Sequence, residues 1–132
     1  MAMDTPTIHR PIPGFHPSTP AVTSTSYDAV VAAHPIVVVH FWAVWNGVDP
    51  VMDQHIANAK FDAHFVSCDI DDPACLDLCK QCGIATVPTL AVFVGGELRP
   101  PIIGLLSSDA ITNALDDRVT NARPSRKWWQ FW

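Results

Sequence analysis

The feature that most restricts the fold is a stretch of β-branched and aromatic residues, which occupies positions 36–42 and reads IVVVHFW. These side chains favour a strand, and both faces of that strand are apolar. A strand that is apolar on both faces is typical of the middle of a parallel sheet, which is covered on each side. Because helices form that cover in α/β proteins, the stretch predicts an α/β domain.

Turn and capping residues divide the rest of the chain into further elements. Asp49-Pro50 predicts the start of a helix, with aspartate as the N-cap and proline in the first helical position. Gly95-Gly96 predicts a hairpin turn, and two adjacent prolines restrict the strand after it to a sheet edge. We predict further strands at residues 64–70, 89–94 and 97–103, and helices ending near residue 32 and at residues 49–60, 74–82 and 107–119. This order requires a mixed sheet of four to five strands flanked by helices on both faces.

Proline usage marks where the folded domain begins. Five of the twelve prolines fall within the first 20 residues, where they exclude regular helix and central strand. We predict a proline-rich N-terminal arm at residues 1–22, which is either extended, with polyproline II segments, or an unstructured leader. A single domain of ordinary size is expected at residues 23–119, followed by a basic and aromatic tail at residues 120–132.

Charge is distributed unevenly along the chain. Residues 1–117 contain 13 acidic and 4 basic residues, whereas residues 118–132 contain 4 basic residues and no acidic ones. An acidic body excludes a nucleic-acid-binding protein, which needs a basic face to neutralise phosphates. No apolar run approaches the ~20 residues that span a bilayer, and residues 1–10 lack the basic-then-apolar pattern of a signal peptide. The sequence therefore predicts a cytoplasmic protein.

Three local motifs accompany this order of elements. Residues 41–45 read FWAVW, residues 87–89 read VPT, and Gly95-Gly96 precedes an IGLLS run at residues 103–107. Together they resemble the thioredoxin family over roughly residues 23–119. In that family they form the strand leading into the active-site turn, the loop with a cis-proline, and the closing hairpin with the start of the last helix. The resemblance implies a thioredoxin-like fold.

The chain departs from the family at the residues that carry its chemistry. The family exchanges disulfides with a Cys-x-x-Cys at a helix N-terminus, where the helix dipole and free amide groups favour a thiolate. Here Asn46 and Asp49 stand at the two cysteine positions, with Gly47 and Val48 between them. Neither a carboxamide nor a carboxylate forms a mixed disulfide. We therefore predict a degenerate active-site turn, Trp45 to Asp49, with no catalytic residue.

Positions that support the dithiol in the family differ as well. The family's buried acid is replaced by His40, its nearby lysine by Ser67, and the proline inside its active-site helix by Gln54. We expect His40 to be buried and hydrogen-bonded, because a histidine in an apolar strand must be neutral or paired. Asp49 is expected to cap the helix, with catalysis by its carboxyl group as the alternative. Asn46 is expected to be a turn residue.

Pro88 matches the proline that faces the active-site turn in the family. In the family, the residue before this proline offers its backbone to an extended peptide. Trp45, Val87 and Pro88 are therefore predicted to line a groove that still binds peptides. The alternative is that Pro88 only shapes the fold.

The four cysteines lie outside the turn. Cys68 is predicted to be a small buried residue in a strand. The spacing of Cys75, Cys79 and Cys82 places them on one face of a short helix, near its C-terminal end, where the dipole disfavours a thiolate. They are structural, sites of regulatory oxidation, or metal ligands that would need His64 or Cys68 as a fourth ligand. We predict no metal and no other cofactor.

Two polar or aromatic segments leave alternatives open. Asp69, Asp71 and Asp72 follow a strand, where they form either a solvated loop or a cation site, and we expect the loop. Behind the basic residues Arg126 and Lys127, the chain ends with four aromatic side chains: Trp128, Trp129, Phe131 and Trp132. Tryptophans beside cations suit a protein pocket or a membrane interface. We predict that this tail docks on a partner protein or a second copy, with packing on its own domain and membrane-surface contact as alternatives.

These observations predict a thioredoxin-fold protein that lacks the dithiol and acts as a protein-binding or scaffold module through the groove, its tails, or both. An alternative is a thiol-disulfide redox protein whose reactive centre has moved to Cys75, Cys79 and Cys82. A third reading is a subunit of a larger assembly that is held by the arm and the tail.

Overall fold

The computed structural model of the protein describes residues 14–121. The predicted docking of Trp128, Trp129, Phe131 and Trp132 therefore lies outside the described residues, as does the arm before Gly14. Among the described residues, no helix combines the length and the apolar character that crossing a bilayer requires.

One mixed sheet forms the centre of the molecule. Strand β1 (Ile36–Trp42) lies between β2 (His64–Asp69), to which it is parallel, and β3 (Thr89–Val94), to which it is antiparallel. The short strands β4 (Glu97–Leu98) and β5 (Ile102–Ile103) both pair with the outer side of β3. The predicted mixed sheet and its thioredoxin-like fold are confirmed.

The predicted strand at residues 97–103 is wrong in one respect, because the structure divides it into β4 and β5. Between them lie Arg99, Pro100 and Pro101. The two prolines have no N–H groups to donate to β3, so the ladder is interrupted there. The edge character that the prolines predicted is retained.

Helices cover both faces of the sheet. On one face lie α1 (Tyr27–Ala33) and α3 (Leu76–Gln81), the latter preceded by a 3-10 turn at Pro73–Cys75. On the other face lie α2 (Asp49–Asn58) and α4 (Ser108–Thr120). The helix predicted at residues 74–82 thus begins as a 3-10 turn, in which the Asp72 side chain accepts a hydrogen bond from the Ala74 N–H.

Alternation along β1 decides which residues face which helices. Val37, Val39 and Phe41 pack in the core under α1 and α3, whereas Val38 packs with α2 and α4. Since side chains alternate between the two faces of a strand, His40 points to the same side as Val38. That side is the one on which α2 begins.

Residues just before the predicted domain also pack on the sheet. The Val22 N–H donates to the Ser67 carbonyl (2.8 Å), and the Ser67 N–H donates to the Pro20 carbonyl (2.8 Å), which pairs this segment with the outer edge of β2. Farther back, the Phe15 ring meets the Trp42 ring edge to face, with 5.4 Å between the ring centroids. The segment therefore covers an edge that β2 would otherwise expose.

Candidate functional site

The turn after β1 and the loop before β3 meet at one end of the sheet. The Asn46 side-chain amide donates to the Val87 carbonyl at 3.2 Å, and the Val87–Pro88 peptide bond is cis. Within the turn, the Asn46 N–H donates to the Ala43 carbonyl at 3.1 Å. The structure thus brings the sequence-predicted turn and the sequence-predicted groove residues together.

A buried polar pair lies beneath this turn. His40 and Asp49 are 1% and 0% exposed, and the His40 Nε2–H donates to Asp49 Oδ1 at 3.1 Å. The other carboxylate oxygen, Oδ2, accepts the Ala43 N–H at 2.9 Å and the Asn46 side-chain amide at 3.1 Å. Within residues 14–121, His40 Nδ1 has no hydrogen-bond partner. The prediction that His40 is buried and hydrogen-bonded is confirmed.

The predicted helix-capping role of Asp49 is wrong. Helix α2 takes Val48 as its N-cap residue, without a side-chain cap, and Asp49 is the first helical residue with Pro50 after it. The Asp49 carboxylate instead points inward, because His40 on the facing side of β1 and the Ala43 N–H offer it donors away from water. A buried carboxyl group needs such partners, and His40, Ala43 and Asn46 supply them.

Beside the turn lies an open groove of about 410 Å³. Its lining is largely apolar: Trp45, Ile70, Cys79, Ile84, Ala85, Thr86 and Val87. Trp45 forms one wall with 43% of its surface exposed, and its indole N–H donates to Asp71 Oδ2 at 2.8 Å. Two of the predicted groove residues, Trp45 and Val87, line this space, whereas Pro88 is buried beside it.

Further apolar side chains are exposed on the other side of Pro88. The Gly104 N–H donates to the Pro88 carbonyl at 2.9 Å, which places the residues flanking Gly104 next to the loop. Ile103 and Leu105 are 62% and 46% exposed. Two exposed apolar side chains therefore lie near the loop that contains Pro88.

The cysteines form a cluster around α3. Cys68, Cys75 and Cys82 are buried, and Cys79 is partly exposed. The prediction that Cys68 is buried is confirmed. Cys79 also lines the groove, so one of the four thiols shares the open surface with Trp45.

Burial disfavours the thiolate form throughout this cluster. It is the largest cause that raises the pKa of Cys68, Cys75 and Cys79, with further contributions from the neighbouring thiols and from Asp69 and Asp72. Burial also raises the pKa of the Cys82 thiol to about 12. The cluster therefore holds protonated thiols at neutral pH, which are weak nucleophiles.

The aspartates after β2 form hydrogen bonds within the loop and to the turn. Asp69 Oδ1 accepts the Asp71 N–H at 2.9 Å, and Asp72 caps the 3-10 turn. Among the described residues, no group of three or more His, Cys, Asp or Glu side chains is arranged to hold a metal ion.

Comparison with known proteins places this arrangement in a family. The sequence profile described as Thioredoxin matches residues 18–117. The chain belongs to the thioredoxin family. Among solved structures, mitochondrial thioredoxin 3 from Saccharomyces cerevisiae superposes with a TM-score of 0.62 at 27% identity, over 76% of this chain and 95% of that one. A mutant thioredoxin from Halobacterium salinarum gives a TM-score of 0.67 at 24% identity, over 84% and 100%, which shows a common fold.

Similar sequences include thioredoxins from organelles and from a bacterium. Chloroplastic thioredoxin M2 from Arabidopsis thaliana is 32% identical over 101 residues, which are 72% of this chain and 53% of that protein. Thioredoxin 1 from Synechococcus elongatus is 30% identical over 104 residues, 75% of this chain and 95% of that protein. The chain spans little more than half the length of several relatives. Since relatives include chloroplastic and mitochondrial thioredoxins, the cytoplasmic location stays a prediction.

Most of the chemically reactive side chains around this site are buried. The His40–Asp49 pair has an acid and a base in contact, but neither side chain reaches the surface. A general acid or base must come within hydrogen-bond reach of the atom it serves, and the hydrogen bonds of this pair join the two side chains to each other and to the turn. What remains open to a ligand is the apolar groove.

Sequence reasoning missed part of this surface. Ile70 and Ile84 line the groove, and Ile103 and Leu105 are exposed near the loop that contains Pro88, although none was singled out. The signal was present, because Ile103 and Leu105 flank a glycine inside the run that resembled the family's closing hairpin. The contact between His40 and Asp49 was also readable, since the alternation of β1 directs His40 toward the start of α2.

Proposed function

We propose that this thioredoxin-family protein does not exchange disulfides at the turn of residues 45–49 and binds extended polypeptides in the groove beside it. The observation that carries the proposal is the contact of Asn46 with Val87 at a turn that contains no sulfur atom. Asn46 and Asp49 stand where the family resemblance expects the two cysteines. Without a thiolate there, no mixed disulfide can form.

The groove itself supports binding. Its lining residues are mostly apolar, and Trp45 exposes its ring to solvent. Tryptophan is enriched among the residues that dominate binding energy at protein interfaces. Apolar surface that is divided between this groove and the exposed Ile103 and Leu105 suits an extended polypeptide better than a small molecule.

The buried polar contacts support a preformed groove. Asp49 holds the turn through His40, Ala43 and Asn46, and Asn46 in turn holds the Val87 carbonyl. A groove wall fixed in this way needs little ordering when a ligand binds, which favours affinity.

Two assays on the full chain test the proposal. Reduction of insulin in the presence of dithiothreitol is expected to proceed at the uncatalysed rate, and the Cys79→Ser, Cys82→Ser variant is expected to behave identically. Catalytic turnover that survives those two substitutions would contradict the assignment. Binding is measured with fluorescently labelled insulin B chain whose cysteines are carboxymethylated, so that no disulfide can contribute. Trp45→Ala is expected to weaken this binding about tenfold, the effect of losing about 1.4 kcal/mol at an aromatic anchor.

A second candidate is thiol-disulfide exchange by the displaced cysteines. The observation in its favour is that Cys79 lines the same groove and lies next to Cys68 and Cys75. The raised pKa of all four thiols disfavours it, because the thiolate is the reactive form. Thiol labelling decides between the two candidates: a thiol with a depressed pKa, or a reversible intramolecular disulfide among Cys75, Cys79 and Cys82, would establish the second.

A further inference from the structure

The groove has carboxylates along one side. Asp71 accepts the indole N–H of Trp45, and its chain neighbours Asp69 and Asp72, on either side of the groove residue Ile70, line a separate depression. We call these three residues the acidic rim. Among residues 14–121, no ion pair neutralises any of them, although the exposed Lys80 lies on the helix that contributes Cys79. The site therefore combines an apolar floor with negative charge beside it.

One segment of this chain has the complementary composition. Residues 123–132 contain three cations and no acidic residue, and Arg126-Lys127 directly precede the aromatic group Trp128, Trp129, Phe131 and Trp132. At protein interfaces, pairs of cations and carboxylates fix the orientation of the partners. Tryptophans that fill apolar pockets supply much of the affinity. The segment offers both within seven consecutive residues, 126–132.

Distance decides whether the segment reaches its own groove. Helix α4 begins close to it, because the His55 Nδ1–H donates to the Leu106 carbonyl and Gly104 contacts Pro88. The helix then runs away over 13 residues, which is about 20 Å, and it lies on the opposite face of the sheet from Cys79. The path from the end of α4 back to the groove therefore has two components. It covers about 20 Å parallel to the helix axis and, with about 10 Å for each packed layer, about 20 Å from one face of the sheet to the other. Lys127, which meets the rim in such a pose, is six residues beyond Asn121, and six residues span at most about 22 Å, which is shorter than this diagonal of about 28 Å.

We propose that the basic and aromatic segment 123–132 docks into the groove of a second copy of this chain. Arg126 and Lys127 meet the acidic rim, and the tryptophans that follow occupy the apolar floor beside Trp45. Two copies that exchange this segment reciprocally close as a dimer, with both grooves filled. The inference rests on the proposed function only in using the same groove, which then binds foreign polypeptides in competition with the segment.

Charge exchange in the full chain tests the docking. Sedimentation velocity over a range of concentrations is expected to show a wild-type dimer that dissociates on dilution. Asp71→Lys alone, or Arg126→Glu with Lys127→Glu, is expected to yield a monomer. Combining the three substitutions is expected to restore the dimer, because the charges again oppose each other. Asp116→Lys, an exposed aspartate near the far end of α4, is the matched control and is expected to leave the dimer intact.

Alkylation of Cys79 reports groove occupancy in the same samples. Its rate with N-ethylmaleimide is expected to rise several-fold on dilution of the wild-type protein and to be high at all concentrations in the two monomeric variants. A wild-type protein that is monomeric at every concentration overturns the proposal. Protection of Cys79 at every dilution would then indicate docking within one chain, and binding of the tail to anionic lipid vesicles would indicate a membrane contact. A dimer that both charge reversals leave intact overturns it as well.

The same variants separate this inference from the proposed function. If the Arg126→Glu, Lys127→Glu chain is monomeric but does not bind carboxymethylated insulin B chain, the docking stands and the proposed function fails. If the wild-type chain is monomeric and binds that peptide, the proposed function stands and the docking fails.

Discussion

The turn of residues 45–49 and the cysteine cluster of residues 68–82 border the same groove, and each has what the other lacks. The turn lies at the start of α2, where a helix dipole stabilises negative charge, but its buried anion is the Asp49 carboxylate. The cluster has four thiols, but burial raises the pKa of every one of them. The difference shows that sulfur chemistry depends on where the fold places a thiol, and not on how many thiols the chain contains.

The largest effect is expected from giving the turn the sulfur it lacks. In the Asn46→Cys, Asp49→Cys variant, a thiol at this position is expected to have a pKa near 7 and to be about half ionised, against about 3% for an ordinary thiol at neutral pH. Insulin reduction is therefore expected to rise at least about tenfold over the wild-type protein. The Asn46→Ser, Asp49→Ser variant is the control. Equal rates in the two variants would mean that the turn no longer favours a thiolate.

The next effect is on stability. Asp49→Ala removes the acceptor of three donors, two of them buried, and breaking a buried pair in this way costs about 3–5 kcal/mol. Urea unfolding measures this loss, and Asp49→Asn is expected to lose less because it keeps one acceptor oxygen. Cys82→Ala removes only a small buried side chain from the other region and is expected to cost about 1 kcal/mol. If Asp49→Ala and Cys82→Ala lowered the free energy of unfolding by similar amounts, the turn would contribute no more to stability than the cysteine cluster.

A smaller effect concerns the pH dependence of the cluster. Because the folded chain keeps the Cys82 proton to a pKa of about 12, whereas the unfolded chain loses it near 9.0, the free energy of unfolding is expected to fall as pH rises above 9. Denaturant titrations at pH 8 and pH 10 measure the change, and Cys82→Ala is expected to reduce it. A loss above pH 9 that Cys82→Ala leaves unchanged would show that this thiol is not its source.

The smallest effect is expected outside both regions, at two stacked histidines. The rings of His34 and His64 stack with centroids 3.9 Å apart, and burial, followed by the charge of His34, lowers the pKa of His64 below its ordinary 6.5. The unfolded chain therefore takes up this proton first, so stability falls as pH drops below 6.5. His64→Gln is expected to reduce the fall in unfolding experiments at pH 7 and pH 5. If the fall persists unchanged, its source lies in another group.

Periodicity and turn chemistry were sufficient for most of the fold. The strands at residues 36–42 and 89–94 have the predicted bounds, because each is a continuous apolar run between clear turn signals. The strand at residues 97–103 was misjudged because an apolar pattern does not show how two missing N–H groups interrupt a ladder. Local pattern therefore predicts elements better than it predicts their continuity.

Those parts of the site that depend on a single sequence motif were predictable. Contacts between residues of two different elements were not. The placement of the turn beside Val87 followed from the family resemblance, and the structure brings the two together. The role of Asp49 was misassigned because capping is a local property, whereas its real partner, His40, lies nine residues earlier on another element. Only the packing of α2 on β1 makes a buried pair the better arrangement for that carboxylate.

The pairing of residues 20–22 with β2 affects how this protein tolerates crowding. One margin of the sheet is occupied by its own backbone through Ser67, and the other is interrupted by Pro100 and Pro101. Unpaired strand margins are the usual templates for intermolecular β-stacking and amyloid. Within the described residues, neither edge of the sheet has a long row of unpaired backbone groups. The molecule can therefore expose an apolar surface at one end of the sheet without also offering an edge for the growth of β-fibrils.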